Sequence, residues 1–186
     1  MVIHVAQKGF IQKQTLKIFT MKKVYQKILD KYNGDCMQAA IASMLELELN
    51  EVPPFVTFGE EYWDVLVKFL KSKGYKLSKW MYNDNYDNLK NPTARCYKDI
   101  ENECILTDTL LYGYTGINGL HFASVLSPNN FDYKDDFWTT HAVVIDRDYN
   151  IVHDPNPKYK YIKEYPLAKL LGFNGVIFIF VINKIK

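Results

Sequence analysis

Residue types that together perform nucleophilic catalysis occur at positions 36, 141 and 154. The first lies in Asn33-Gly34-Asp35-Cys36-Met37-Gln38-Ala39-Ala40-Ile41-Ala42-Ser43-Met44-Leu45. Asn-Gly is a strong turn pair, and Asp35 is placed to cap the backbone N–H groups of a helix that follows. Cys36 then falls in a first helical turn, where unpaired N–H groups and the helix dipole favour a thiolate over a thiol. A small cysteine buried at a helix start fits this stretch equally well.

The other two residues lie in a pair of candidate strands, Thr140-His141-Ala142-Val143-Val144-Ile145-Asp146 and Asn150-Ile151-Val152-His153-Asp154-Pro155-Asn156-Pro157. A four-residue turn at 146–149 makes them a hairpin with His141 directly opposite Asp154. Side chains so paired have Cβ atoms about 4.5–5.5 Å apart, within reach of a carboxylate–imidazole bond. A register slip of two would leave the pair diagonal, and a slip of one would put the residues on opposite faces. Pro155 and Pro157 end the pairing, which leaves Asp154 at an open rim.

Cysteine, histidine and aspartate in such positions are a thiol nucleophile, its base and an acid that orients the base. Asn156 competes with Asp154 for the orienting role. The Cys36 N–H can donate to an oxyanion, and a side-chain amide would complete the hole. Gln26 is the preferred donor, ten residues upstream; Asn33 is the competitor, and Gln38 is less well placed. His153 points away from Asp154 and reads as structural. His121 precedes Phe122 in an apolar strand and reads as core. Cys96 and Cys104 flank a charged stretch and read as inert thiols.

Two helices and several strands must hold these groups. Met37, Ala40, Ile41, Met44 and Leu45 follow the i, i+3, i+4, i+7, i+8 spacing of a core-facing helix. Asn50 is available as a cap in the turn that leaves it. A second amphipathic helix is expected over 60–73, burying Trp63, Leu66, Val67 and Leu70 and stopping at Gly74. Strands are expected over 75–81, 104–112, 120–126, 142–145, 151–152 and 176–182, with loops at 83–103 and 129–139 and a short helix near 166–171. Helices early and strands late argue for an α+β fold. The 186 residues read as one domain over 21–186. Met21-Lys22-Lys23 resembles a translation start, so residues 1–20 read as a basic N-terminal extension.

Composition narrows the class. Nearly half the residues are apolar and 15% are aromatic, which suits a packed globular chain. A net charge of +2 gives no footprint for nucleic acid. Residues 1–29 hold six of the 23 basic residues and no acid, leaving 17 basic against 21 acidic residues in the body. Three cysteines without a C-x-x-C pair, no secretory-signal pattern and no membrane-length apolar run point to a reducing, cytoplasmic setting without membrane partners.

Gln26, Gly34-Asp35-Cys36 running into Ala39-Ala40-Ile41-Ala42-Ser43-Met44-Leu45, and Glu51-Val52-Pro53 resemble the front of a group of papain-like fold proteins found in bacteria and phages. Ser127-Pro128, His141-Ala142-Val143-Val144 and Val152-His153-Asp154-Pro155 resemble its second half. The His strand and Asp-Pro ending are also similar to the bacteriocin-leader peptidase domains of ABC transporters. The resemblance covers roughly residues 21–160, with an apparent insertion near 129–139. It implies a papain-like fold with Cys36 as nucleophile, His141 as base, Asp154 as third member and Gln26 at the oxyanion site. Where the group has Ser-Pro-Arg-Gly this chain has Ser127-Pro128-Asn129-Asn130, so any role of that arginine is absent.

The expected activity is therefore cysteine-dependent hydrolysis of an amide, peptide or isopeptide bond, or acyl transfer to another amine. The substrate is a peptide or protein and no cofactor is needed. An inactive papain-like module that binds a peptide, with the aromatic loop at 131–138 as its surface, is the alternative. A zinc site built from Cys36, His141, His153 and Asp154 is disfavoured, because His153 and Asp154 face opposite ways on a strand and no i, i+4 ligand pair is present.

Overall fold

The computed structural model describes residues 21–30, 33–83, 114–128, 140–159, 165, 169 and 172–186. The basic arm, Cys96, Cys104, the strand expected at 104–112 and the aromatic loop at 131–138 lie outside the described residues, as do most of the loop at 83–103 and of the short helix at 166–171. The rest is an α+β unit of two helices and a five-stranded antiparallel sheet.

The first helix, α1, is Cys36–Leu45 and the second, α2, is Tyr62–Ser72. Strand β1 is Tyr75–Tyr82, β2 is Leu120–Leu126, β3 is Thr140–Asp146, β4 is Ile151–His153 and β5 is Val176–Lys184. Their order across the sheet is β1-β5-β2-β3-β4. The two late strands with the densest apolar sequence, β5 and β3, thus lie inside the sheet, and the three-residue β4 forms the edge beside β3.

Both faces of the sheet are buried. Phe122, Leu126, Ala142, Val144, Ile177, Phe180 and Ile182 pack under the helices. Ala123, Val125, Val143, Ile145, Ile179 and Val181 alternate with them and meet Tyr149, Tyr165 and Met81 on the other side. Helix α1 lies on β3 and β2. Ala39, Ala40 and Ala42 have no exposed surface, so the helix backbone sits close to the strands, and Ile41 and Met44 fill the space beside them. Each of these larger side chains contributes about 1.5–3 kcal/mol by leaving water. Met37 and Leu45, expected on the buried stripe, are only half-buried.

Helix α2 is shorter than the expected 60–73, because residues 55–61 form tight 3₁₀ turns instead. Leu66 and Leu70 are buried as expected, but Val67 is exposed. Val67 is only one residue from Leu66 and 100° round the helix, beyond the edge of the contact stripe. Gly74 ends the helix at φ 81°. Asn50 does not cap; it sits within the 3₁₀ turn Leu49–Glu51, which Glu48 and Glu51 close by reciprocal side-chain to backbone bonds.

The hairpin between β3 and β4 differs from expectation in its turn and in its ladder. Asp146 bonds Asn150, so the turn is the three residues 147–149, with Tyr149 left-handed at φ 62°. The Asp146 carboxylate closes it by accepting the N–H groups of Asp148 and Asn150, each at 2.9 Å. Beyond the turn Ile145 pairs with Ile151 but Val144 pairs with His153, so Val152 is an extra residue in a bulge.

The chain before α1 runs extended past the end of β4 and is fastened at several points. The Val24 N–H donates to Ser43 Oγ of α1 at 2.9 Å, and the Val24 carbonyl accepts from His153 Nε2 at 2.8 Å. The Gln26 N–H donates to the Pro155 carbonyl at 3.0 Å. Gly34 is required where the chain turns back toward the helix, because a Cβ there would lie 2.6 Å from the Asp30 carbonyl oxygen.

Candidate active site

Cys36 is the first residue of α1, and its placement depends on Asp35. The structure corrects the expected capping role: Asp35 makes no side-chain cap bond to the helix. Its carboxylate instead reaches backward and accepts the N–H groups of Lys27 at 3.0 Å and Ile28 at 2.9 Å. The competing donors win here because the extended segment presents two adjacent N–H groups, those of Lys27 and Ile28, that no strand satisfies. One side chain therefore fixes the start of α1 against the stretch that carries Gln26.

His141 lies at the open end of β3 and is buried. Its Nε2 faces Asp154 Oδ1 at 2.7 Å, which leaves Nδ1 for the hydrogen bond to the Cys36 thiol. Asp154 is not directly opposite His141. The three-residue turn and the Val152 bulge each displace the ladder by one residue, so Asp154 is the diagonal neighbour on the same face. Asp154 Oδ1 also accepts the Asn156 N–H at 2.7 Å, and Oδ2 accepts the Tyr165 hydroxyl. Asn156 thus does not orient the histidine through its side chain, whose Oδ1 accepts the Lys158 N–H at 3.0 Å. The Tyr159 ring stands edge-on to the imidazole with 5.5 Å between centroids.

Electrostatics follow from these contacts. Burial alone pushes the Cys36 thiol up. The hydrogen bond and charge of His141, with the N–H groups of Ala142 and Met37, outweigh it, and the thiol titrates below its ordinary range. Burial likewise opposes protonation of His141, but the hydrogen bonds and negative charges of Asp154 and Cys36 raise it to about 9. A thiolate–imidazolium pair is the consistent state of such a couple near neutral pH.

A cavity of about 400 Å³ opens over Cys36 and His141. Pro54, Phe55, Val56 and Tyr62 form an apolar side, while Gln26, Ser124, Ser127 and Thr140 contribute polar groups. Three amides were candidates for the oxyanion site. Gln26 lines this cavity, is buried, and uses one Nε2 hydrogen on the Ile28 carbonyl at 2.9 Å, which leaves the other. Gln38 also lines it, but its amide nitrogen bonds the carbonyls of Leu49 and Val52 at 2.8 and 2.7 Å, so both hydrogens are committed. Asn33 is exposed at the turn and is not among the lining residues.

His153 is turned away from the site toward the Val24 carbonyl. His121 is fully buried on β2, and among the described residues neither ring nitrogen has a hydrogen-bond partner. Among the described residues no group of three or more His, Cys, Asp or Glu is arranged to hold a metal ion. Also among them, no helix is long and apolar enough to cross a membrane. Sequence reasoning missed two contributors, the backward reach of Asp35 and the phenol of Tyr165. The first carried a signal assigned to the wrong partner; the second, one of 14 tyrosines, carried none.

No protein-family description, curated protein or solved structure matches this chain.

Proposed function

We propose that this chain is a cysteine-dependent hydrolase of papain-like architecture that cleaves an amide, peptide or isopeptide bond in a peptide or protein. The observation that carries the reading is the continuous set of hydrogen bonds from the Cys36 thiol through His141 to Asp154, opening on a cavity large enough for a side chain and its neighbours. The Cys36 thiolate attacks the carbonyl carbon. The tetrahedral oxyanion is held by the second hydrogen of Gln26 Nε2 and by the Cys36 N–H. The His141 imidazolium gives its proton to the leaving amine, which departs and leaves a thioester on Cys36. Neutral His141 then takes a proton from water, whose oxygen attacks the thioester and releases the acid. An amine entering in place of water gives acyl transfer by the same steps. A reducing cytoplasm would keep the free thiol competent.

The test is chemical and needs no substrate. Iodoacetamide consumption at Cys36 is measured by peptide mapping over a range of pH and compared with Cys96 and Cys104. The reading requires Cys36 to react faster at neutral pH, with a titration displaced below that of an ordinary thiol. Equal rates at the three cysteines would overturn it.

A further inference from the structure

Both carboxylate oxygens of Asp154 are engaged, from different parts of the chain. His141 on β3 and the Asn156 N–H beyond β4 share Oδ1, and the Tyr165 hydroxyl takes Oδ2. Tyr165 is itself buried, and its ring belongs to the cluster under the sheet face formed by Val143 and Ile145. A buried phenol O–H needs an acceptor and a buried carboxylate oxygen needs a donor, and either left alone is costly. The contact therefore couples the sheet's second core to the acid behind the histidine.

We propose that Tyr165 is a positioning residue of the Cys36–His141–Asp154 site: its phenol fixes the Asp154 carboxylate and takes a share of its charge, which sets how tightly His141 keeps its proton. This rests on the hydrolase reading and adds to it a control over the imidazolium. A carboxylate divided between a phenol and an imidazole attracts the imidazolium less than one facing the imidazole alone. Among the described residues, the titratable groups that act on the carboxylate or on the imidazole it holds are Cys36 on α1, His141 on β3, His153 on β4, and Tyr159 and Tyr165 beyond it. Burial and the negative charge of Asp154 hold the Tyr165 hydroxyl well above its ordinary range, so it stays a donor across the working pH. His153 is held below its usual value by burial, with its ring on Val24, so it stays neutral there.

The readout is the basic limb of Cys36 reactivity against pH, where the imidazolium loses its proton. Tyr165→Phe should move that limb up by about 0.5–1 unit, the equivalent of one neutral hydrogen bond. Replacing the Tyr165 phenol by a 3-fluorophenol, a stronger donor of nearly the same shape, should move it down. A packing role alone would change stability and leave the limb in place, or move it the same way in both variants; either result overturns the proposal. If the phenylalanine variant does not fold, the fluorophenol decides by itself, since an unmoved limb there is equally fatal. Wild-type protein in which Cys36 reacts no faster than Cys96 and Cys104 would instead defeat the underlying hydrolase reading.

Discussion

The carboxylate of Asp35 accepts the backbone N–H of Ile28 at 2.9 Å, seven residues back along the chain. With its second bond to Lys27 it makes the start of α1 and the stretch carrying Gln26 one mechanical piece. The nucleophile and its candidate oxyanion donor are thus positioned by the same side chain, although neither touches the other through it.

Asp35→Ala should therefore loosen both at once. Two partly buried N–H groups lose a charged acceptor, and the expected loss of stability is on the order of 1–2 kcal/mol by urea denaturation. Cys36 alkylation should slow in the fraction that remains folded. A change within about 0.5 kcal/mol, the range of a neutral surface substitution, would show that the clamp is dispensable.

The pH dependence of Cys36 has a definite sign. The thiol is lowered and His141 is raised to about 9, so the ion pair persists from below the ordinary thiol range up to that pH. Alkylation should already be fast at pH 7 and show a second change near 9, where the imidazolium proton leaves. In His141→Ala the hydrogen bond and charge vanish while burial remains, so the thiol titrates upward. Reactivity at pH 7 should fall about 10²-fold or more.

Gln26 separates alkylation from acyl transfer. Displacement at iodoacetamide builds no oxyanion, whereas acyl transfer from an aryl ester does. Gln26→Ala should leave alkylation within a few-fold of wild type and slow acyl transfer by about 10²-fold or more. Parallel losses in both assays would place Gln26 in the scaffold alone.

His121 predicts acid sensitivity independent of the site. Burial first, then repulsion from Arg147, lowers it to about 4 in the folded chain. Below the unfolded value of about 6.5 the unfolded state takes up a proton that the folded state refuses, so stability falls as pH drops from about 6.5 toward 4. Urea midpoints measured across that range should show the decline, and His121→Phe should flatten it.

How much of this was legible depended on the range of the interaction. The helix at Cys36, the strands at 120–126 and 176–182 and the stop at Gly74 are local patterns, and the α+β class follows from their order. That His141 and Asp154 share a face was also readable, since strand alternation is local. Their diagonal offset was not, because neither a left-handed Tyr149 nor a bulged Val152 has a sequence signature of its own. Asp35 and Val67 were misread for a related reason. A helix-start aspartate has the N–H groups of the first turn as its default donors, and an apolar helix position has the core as default; tertiary neighbours decided otherwise in both cases. Tyr165 reaches Asp154 from a separate segment, so only the folded chain brings them together.

The extra residue at Val152 limits how this hairpin can change in length. A two-fold alternation turns every odd displacement of one strand into an exchange of faces. The short turn supplies one such exchange and the bulge a second, and the two cancel to leave Asp154, and not His153, beside His141. Working relatives of this chain should accordingly vary the turn by even numbers of residues, or gain or lose the bulge with every odd change.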